Sequence, residues 1–175
     1  STSCDQLTHS HIYEITDLFN LSSSEAIHKD DPQLIGWGTA VEYIEYGSDV
    51  SLIFQTPDRA LGPATGRSHD VVSLGQGGEL VISFEPPIAN GDGPDFVVFE
   101  NSFSERFLEL ALVSVSSDGV YYTALPHAYL GEELISAFGE HEPELISGLA
   151  GQYKAGYGTP FDLSSLAWTH DAQLG

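Results

Sequence analysis

The chain contains few residues that are basic, sulfur-bearing or part of a long apolar run. Only five of its 175 residues are Lys or Arg, against 26 Asp and Glu, and the formal net charge is −21. Such a charge repels phosphate backbones and anionic lipid head groups at long range, so we expect no nucleic-acid partner. The same carboxylates attract metal cations. Composition therefore favours cations over polyanions as partners.

Membrane and disulfide signals are also missing. No apolar run approaches the roughly 20 residues that a membrane-spanning helix needs, so we expect no transmembrane segment. The single cysteine, Cys4, cannot form an internal disulfide and is expected to be a free thiol near the terminus. Methionine is absent and the sequence begins STSCDQ. A mature protein cut from its signal, or a shortened chain, would begin in this way, and export is the expectation.

The short motifs of common enzymes do not occur. The sequence has no nucleophile elbow GxSxG, no P-loop, no zinc motif HExxH and no CxxC pair. Serine and histidine are present, but at no spacing that places a base beside a nucleophile. We therefore expect a binding protein and not an enzyme.

Hydrophobic periodicity predicts the fold. With 41% hydrophobic residues, the chain is long enough to bury one core, and we expect a single domain over residues 1–175. Short helical patterns occur in SHIYEITDLFNL, SSSEAIH and PELISGL. Strand patterns between turn residues occur in AVEYIEYG, VSLIF, DVVSL, ELVISFE, DFVVFEN, LELALVSVSSDG and VYYTAL. The sequence therefore predicts an all-β fold, a β-sandwich of jelly-roll type with a few short helices.

One turn is rich in oxygen ligands. The segment ANGDGPDFVVFEN brings Asn90, Asp92 and Asp95 together around two glycines. Ca²⁺ takes about six to eight hard oxygen donors, which such a turn can supply in part. The same residue types also form turns without any metal. This turn is a candidate calcium site, with a purely structural turn as the alternative.

Two places among the seven histidines stand out as candidate transition-metal ligands. His69 opens the predicted strand DVVSL, where an apolar side chain would pack better and a buried imidazole needs partners for its ring nitrogens. It is either a ligand or a core histidine with satisfied hydrogen bonds. Near the C-terminus, Trp168 and His170 fall on the same side of an extended chain. Trp37 has the surroundings of a core aromatic residue.

Several long strings resemble a known family. They are GWGTAVEYIEYG, TPDRALGPATG, DVVSLGQGGELVISFEPPIANGDGPDFVVFENSF, FLELALVSVSSDG and LAGQYKAGYGTPFDL. Over roughly residues 36–166 the chain resembles a family of bacterial cell-surface β-sandwich proteins. Within that family it is most similar to the copper-binding surface proteins of methanotrophs, the CorA and MopE group. The resemblance implies a secreted, outer-membrane-associated protein that binds Cu(I) for acquisition or storage, with a calcium site nearby.

The resemblance also implies a ligand set. In that group two histidines and a tryptophan oxidised to kynurenine hold one copper ion. Trp37 lies in a matching string, although the histidine of the Trp-x-His pattern is replaced by Thr39. His69 stands where relatives carry a Phe-like residue, which favours it as a ligand. The implied set is Trp37, His69 and His28, and the rival set is Trp168 with His170.

Two other functions are open to the same sequence. One is a calcium-stabilised adhesion or carbohydrate-binding module without copper, in which exposed aromatic residues such as Tyr121 and Tyr122 form a platform for sugars. The other is a copper enzyme with an open ligand position.

Overall fold

Strands dominate the computed structural model, which describes residues 26–67, 69–100, 110–129 and 146–166. The helical elements in these ranges are 3-10 turns at Leu52–Phe54, Pro57–Ala60 and Leu163–Ser165. The strands are β1 (Ile27–His28), β2 (Ala40–Glu45), β3 (Glu79–Ser83), β4 (Phe96–Phe99), β5 (Ser114–Val115), β6 (Thr123–Ala124), β7 (Ala128–Tyr129), β8 (Ile146–Ser147) and β9 (Tyr157–Phe161). This part of the chain is therefore all-β, and none of its helices is long and apolar enough to cross a membrane.

A three-stranded antiparallel sheet has the order β1-β9-β4. β9 is its central strand, although it contains Gly158 and Pro160. A side chain at position 158 would not fit, because its Cβ would lie 2.3 Å from Val97 Cγ1. Pro160 lies beyond the two residues of β9 that pair with β1 in the described part of the chain.

The core lies against one face of this sheet. Leu125, Ala150 and Phe161 are 2%, 1% and 6% exposed, and the Phe161 ring stacks on Phe96 at a centroid distance of 5.3 Å. A bridge between Ala111 and Ala150 carries hydrogen bonds in both directions, at 3.1 and 2.9 Å. The partly buried residues packed on this core are Phe96, Val98, Ala111, Val113, Val115 and Leu166.

A separate antiparallel ribbon consists of β2 and β3, with a register shift between Val41 and Tyr43. The loops at one end of this ribbon approach so closely that glycine is required. The Gly47 N–H donates to the Leu74 carbonyl at 2.8 Å, and a Cβ at Gly78 would lie 2.1 Å from the same oxygen. Tight backbone contact therefore fixes the loop that leads into β3.

Sequence patterns predicted some of these elements wrongly. VSLIF contains a 3-10 turn and DVVSL contains no strand, because side-chain and backbone hydrogen bonds tie residues 71–73 to the turn at residues 54–56. The helices predicted in SSSEAIH and PELISGL are wrong at their described residues, which form β1 and β8. Two-residue strands of this kind depend on partners far away in sequence. The helix predicted in SHIYEITDLFNL lies outside the described residues.

We predict that Phe161→Ala lowers the free energy of unfolding by about 3–5 kcal/mol, because it removes a buried ring from the core. Urea denaturation followed by circular dichroism measures this change. Leu52→Ala is the control, since Leu52 is 81% exposed and its loss should cost no more than about 0.5 kcal/mol. Equal losses in the two variants would contradict the proposed core.

Candidate functional site

His69 lies in a turn and is exposed, so the strand expected to begin there is not present. The turn is held through its backbone. The Arg59 guanidinium donates to the His69 carbonyl at 3.0 Å and also pairs with the Asp70 carboxylate. These bonds keep the chain turning where an alternating pattern predicted extension. The imidazole therefore faces solvent and not the core.

An open cleft of about 660 Å³ surrounds this turn. Its lining residues are Arg59, Gly66, Arg67, His69 and Asp70. In the ion pair of Arg59 and Asp70, the two side chains are 43% and 33% exposed. The cleft thus presents two guanidinium groups, one imidazole and one carboxylate to solvent. It can offer several hydrogen bonds and a net positive charge.

Gly66 connects the cleft to β1 and to the turn before β9. A Cβ at Gly66 would lie 3.3 Å from Lys29 Cδ and 3.4 Å from the Cα of Gly156. The Lys29 N–H donates to the Gly156 carbonyl at 2.9 Å. Three segments that are distant in sequence therefore meet at one place, and the segments that carry His28 and His69 adjoin each other there.

His28 lies on β1, with its ring in edge-on contact with Tyr157 at a centroid distance of 5.0 Å. Its Nδ1 accepts a hydrogen bond from the Asp30 N–H at 3.2 Å and lies 3.7 Å from Asp30 Oδ2. A hydrogen bond from the Lys29 ammonium is the main cause of a lowered pKa of the Asp30 carboxyl. A carboxylate therefore stands beside this imidazole.

Trp37 is half-buried and contacts Phe99, with ring centroids 5.7 Å apart. Paired residues of an antiparallel sheet project to the same face, and successive residues alternate. His28 pairs with Tyr157, whereas Phe99 pairs with Gly158, the next residue of β9. His28 and Phe99 thus project from opposite faces. The ring of Trp37 thus packs beside Phe99, and the ring of His28 packs beside Tyr157.

The predicted calcium turn is exposed at Asn90 and Asp92 and half-buried at Asp95. Asp95 accepts hydrogen bonds from the Gly91 N–H at 2.6 Å and from the Leu163 N–H at 2.8 Å. It therefore ties the turn to the 3-10 turn after β9. These bonds explain the turn without a metal, and the calcium site stays a prediction.

Within the described ranges no group of three or more His, Cys, Asp or Glu side chains could hold a metal ion. Neither predicted ligand set contains three such residues, so this finding leaves both sets open. The rival copper residues, Trp168 and His170, lie outside the described residues.

The turn between β5 and β6 holds exposed aromatic residues in place. Asp118 Oδ1 accepts hydrogen bonds from the N–H groups of Val120 at 2.8 Å and Tyr121 at 2.9 Å, and from the Ser116 hydroxyl at 3.0 Å. Tyr121 is 80% exposed and Tyr122 is 46% exposed. One carboxylate thus fixes a turn that presents two tyrosine rings to solvent.

Sequence reasoning missed Arg59 and Arg67. A usable signal was present, because two of the chain's five basic residues fall within the short segment DRALGPATGR. In so acidic a chain, two arginines in one loop region are a local concentration of positive charge.

The chain matches no protein-family model, no curated protein and no solved structure.

We predict that Asp118→Asn loosens the β5–β6 turn, because the charged acceptor of three hydrogen bonds is lost. The backbone N–H bonds, that of Tyr121 first, lower the pKa of Asp118 below its ordinary value of 3.8. The stability that such a carboxylate contributes is present above its ordinary pKa and is lost as pH falls through its lowered pKa. Amide hydrogen exchange at positions 120 and 121 should be faster in the variant, while Asp92→Asn, in another exposed turn, should leave it unchanged. Unchanged exchange in Asp118→Asn would contradict the assigned bonds.

Proposed function

We propose that this chain is a secreted cell-surface module that binds carbohydrate through the tyrosine turn, defined here as residues 116–122. The observation that carries the proposal is the exposure of Tyr121 and Tyr122 on a turn fixed by Asp118. An aromatic ring offers an apolar face to the C–H groups of a sugar ring, and its hydroxyl offers a hydrogen bond at the edge.

Rigidity of the turn supports the proposal. Binding is weakened when flexible side chains or loops must be ordered, and a preorganised loop avoids much of that cost. Because the Asp118 carboxylate already holds the backbone of Val120 and Tyr121, the turn is ordered before a ligand arrives. Val120, which is 70% exposed, extends the apolar surface beside the rings.

The scaffold of this proposal is a β-sandwich of jelly-roll type. Antiparallel pairing throughout and a core packed on one face of the β1-β9-β4 sheet support it. In such scaffolds the loops at the ends of strands carry ligands while the sheets supply rigidity. The calcium proposed at Asn90, Asp92 and Asp95 would stabilise one such loop.

A second candidate function is the binding of one Cu(I) ion for acquisition or storage at the cell surface, without catalysis. The adjoining segments of His28 and His69 favour it, as does the negative charge of Asp30 beside the His28 ring. Neutral imidazole suits copper, and a nearby carboxylate attracts the cation. Resemblance to the copper-binding surface proteins belongs to this candidate.

The positive charges near His69 favour carbohydrate binding over copper binding as the function. His69 shares its cleft with Arg59 and Arg67, and the adjoining segment carries Lys29. Positive charges this close oppose the arrival of a cation. Trp37, the proposed source of kynurenine, lies with Phe99 on the other side of the sheet from His28. Carbohydrate binding at the tyrosine turn requires neither a cation beside these positive charges nor Trp37 and His28 on one face of the sheet.

We predict that Tyr121→Ala and Tyr122→Ala each weaken glycan binding about tenfold, the equivalent of one ring contact of about 1.4 kcal/mol. A glycan array identifies the ligand, and titration calorimetry measures affinity for it. Tyr43→Ala is the matched control, since Tyr43 is 48% exposed on β2, away from the tyrosine turn. A wild-type chain that binds no glycan, or equal losses in all three variants, would contradict the proposal.

For the second candidate we predict that His28→Ala and His69→Ala each abolish binding of one Cu(I) per chain in a competition titration with a chromogenic chelator. The control is His127→Ala, because His127 belongs to neither predicted ligand set. Peptide mapping of natively purified protein shows whether Trp37 or Trp168 is converted to kynurenine. Full copper binding by both histidine variants would exclude the pair as ligands.

A further inference from the structure

Three basic residues in the described part of this acidic chain, Lys29, Arg59 and Arg67, lie close together. Four of the five lie in the described ranges, namely Lys29, Arg59, Arg67 and Lys154. Arg59 and Arg67 line the same cleft, and Gly66 brings the Lys29 side chain against its edge. Lys154 lies two residues before Gly156, whose carbonyl accepts the Lys29 N–H. In a chain of charge −21, this group is a local concentration of positive charge.

Arg67 differs from the other cleft arginine because no described residue holds its side chain. Its backbone N–H donates to Thr65 Oγ1 at 3.3 Å, but within the described part of the chain its guanidinium makes no hydrogen bond or ion pair. Lys29 and Arg59, by contrast, pair with Asp30 and Asp70. The exposed guanidinium of Arg67 therefore has its full set of donors available to a ligand.

Arg59 is held in position by its own contacts. Its guanidinium bonds the His69 carbonyl and the Asp70 carboxylate, which fix the side chain on the wall of the cleft. A fixed guanidinium costs little to order when a ligand binds. One preorganised arginine and one unpaired arginine thus share the cleft, with the exposed His69 ring beside them.

From this arrangement we infer that the cleft lined by Arg59, Arg67 and His69 is a binding site for a single oxyanion group, a carboxylate or a sulfate, carried by a small ligand or a sugar unit. Guanidinium groups match the two oxygens of such a group with parallel N–H bonds. The inference uses other residues than the tyrosine turn and goes beyond the proposed function.

Net charge limits the ligand to few negative charges. Dense polyanions such as nucleic acids meet the summed repulsion of a chain with charge −21. An isolated oxyanion responds mainly to charges nearby, because the Debye length is about 8 Å at physiological ionic strength. Within that range the cleft presents two arginines against the one carboxylate of Asp70, and the open shape admits a group attached to a larger molecule.

The test is a titration followed by NMR at the Nε–Hε signals of the arginines, with sodium sulfate, glucuronate and glucose as probes. We expect saturable shifts at Arg59 and Arg67 with sulfate, with glucuronate or with both, and none with glucose. A response to sulfate alone identifies a sulfate group as the ligand, and a response to glucuronate alone identifies a carboxylate on a sugar. Shifts with glucose, or none with either anion, would overturn the inference.

Variants separate the site from general charge effects. Arg67→Gln should weaken binding at least about tenfold, as expected for the loss of hydrogen bonds to a charged group, and should leave the melting temperature unchanged. Arg67→Lys keeps the charge but not the paired donors and should fall between Arg67→Gln and wild type. Gln76→Glu, on the turn before β3, lowers net charge by the same amount and should bind like wild type.

Wild-type affinity in Arg67→Gln, or an equal loss in Gln76→Glu, would count against the cleft. Failure of this site with intact glycan binding at the tyrosine turn would leave the proposed function standing.

Discussion

The structure depends on the pairing of β9 with two strands that are distant in sequence. β9 joins β1 on one side and β4 on the other, and its Phe161 fills the core against Phe96. Asp95, just before β4, bonds the 3-10 turn that follows β9. Without this strand β1 would have no described partner, and Gly66 would lose its contact at Gly156. The edge of the cleft at Gly66 therefore adjoins the sheet that this pairing builds.

Sequence patterns predicted the strands that carry alternating or continuous apolar runs, which are β2, β3 and β4. They missed β9, because Gly158 and Pro160 weigh against a strand. The structure supplies the reason for glycine at position 158, because Val97 leaves no room there for a side chain. Such reasons come from neighbouring strands, and a local pattern contains no trace of them.

The candidate site was predictable only in part. Composition indicated that positive charge is scarce, and the tyrosines of the β5–β6 turn were expected to be exposed, as they are. Sequence patterns predicted that His69 opens a strand, which is wrong, because it lies exposed in a turn. Its position depends on an ion pair between Arg59 and Asp70, which are eleven residues apart. The approach of Lys29 to Gly66 depends on the β1–β9 pairing and on tertiary packing. Sites assembled from separate loops are fixed by such packing, and periodicity does not encode it.

The ribbon of β2 and β3 ends in a pair of like charges. Glu45 lies directly opposite Glu79, and the Tyr43 hydroxyl donates to Glu45 Oε2 at 2.6 Å, a bond that raises the pKa of Tyr43. Like charges placed face to face weaken a strand pair, but they also discourage another chain from adding to its edge. At this end of the ribbon the chain thus combines a weaker strand pair with a charged edge that opposes the addition of a further strand.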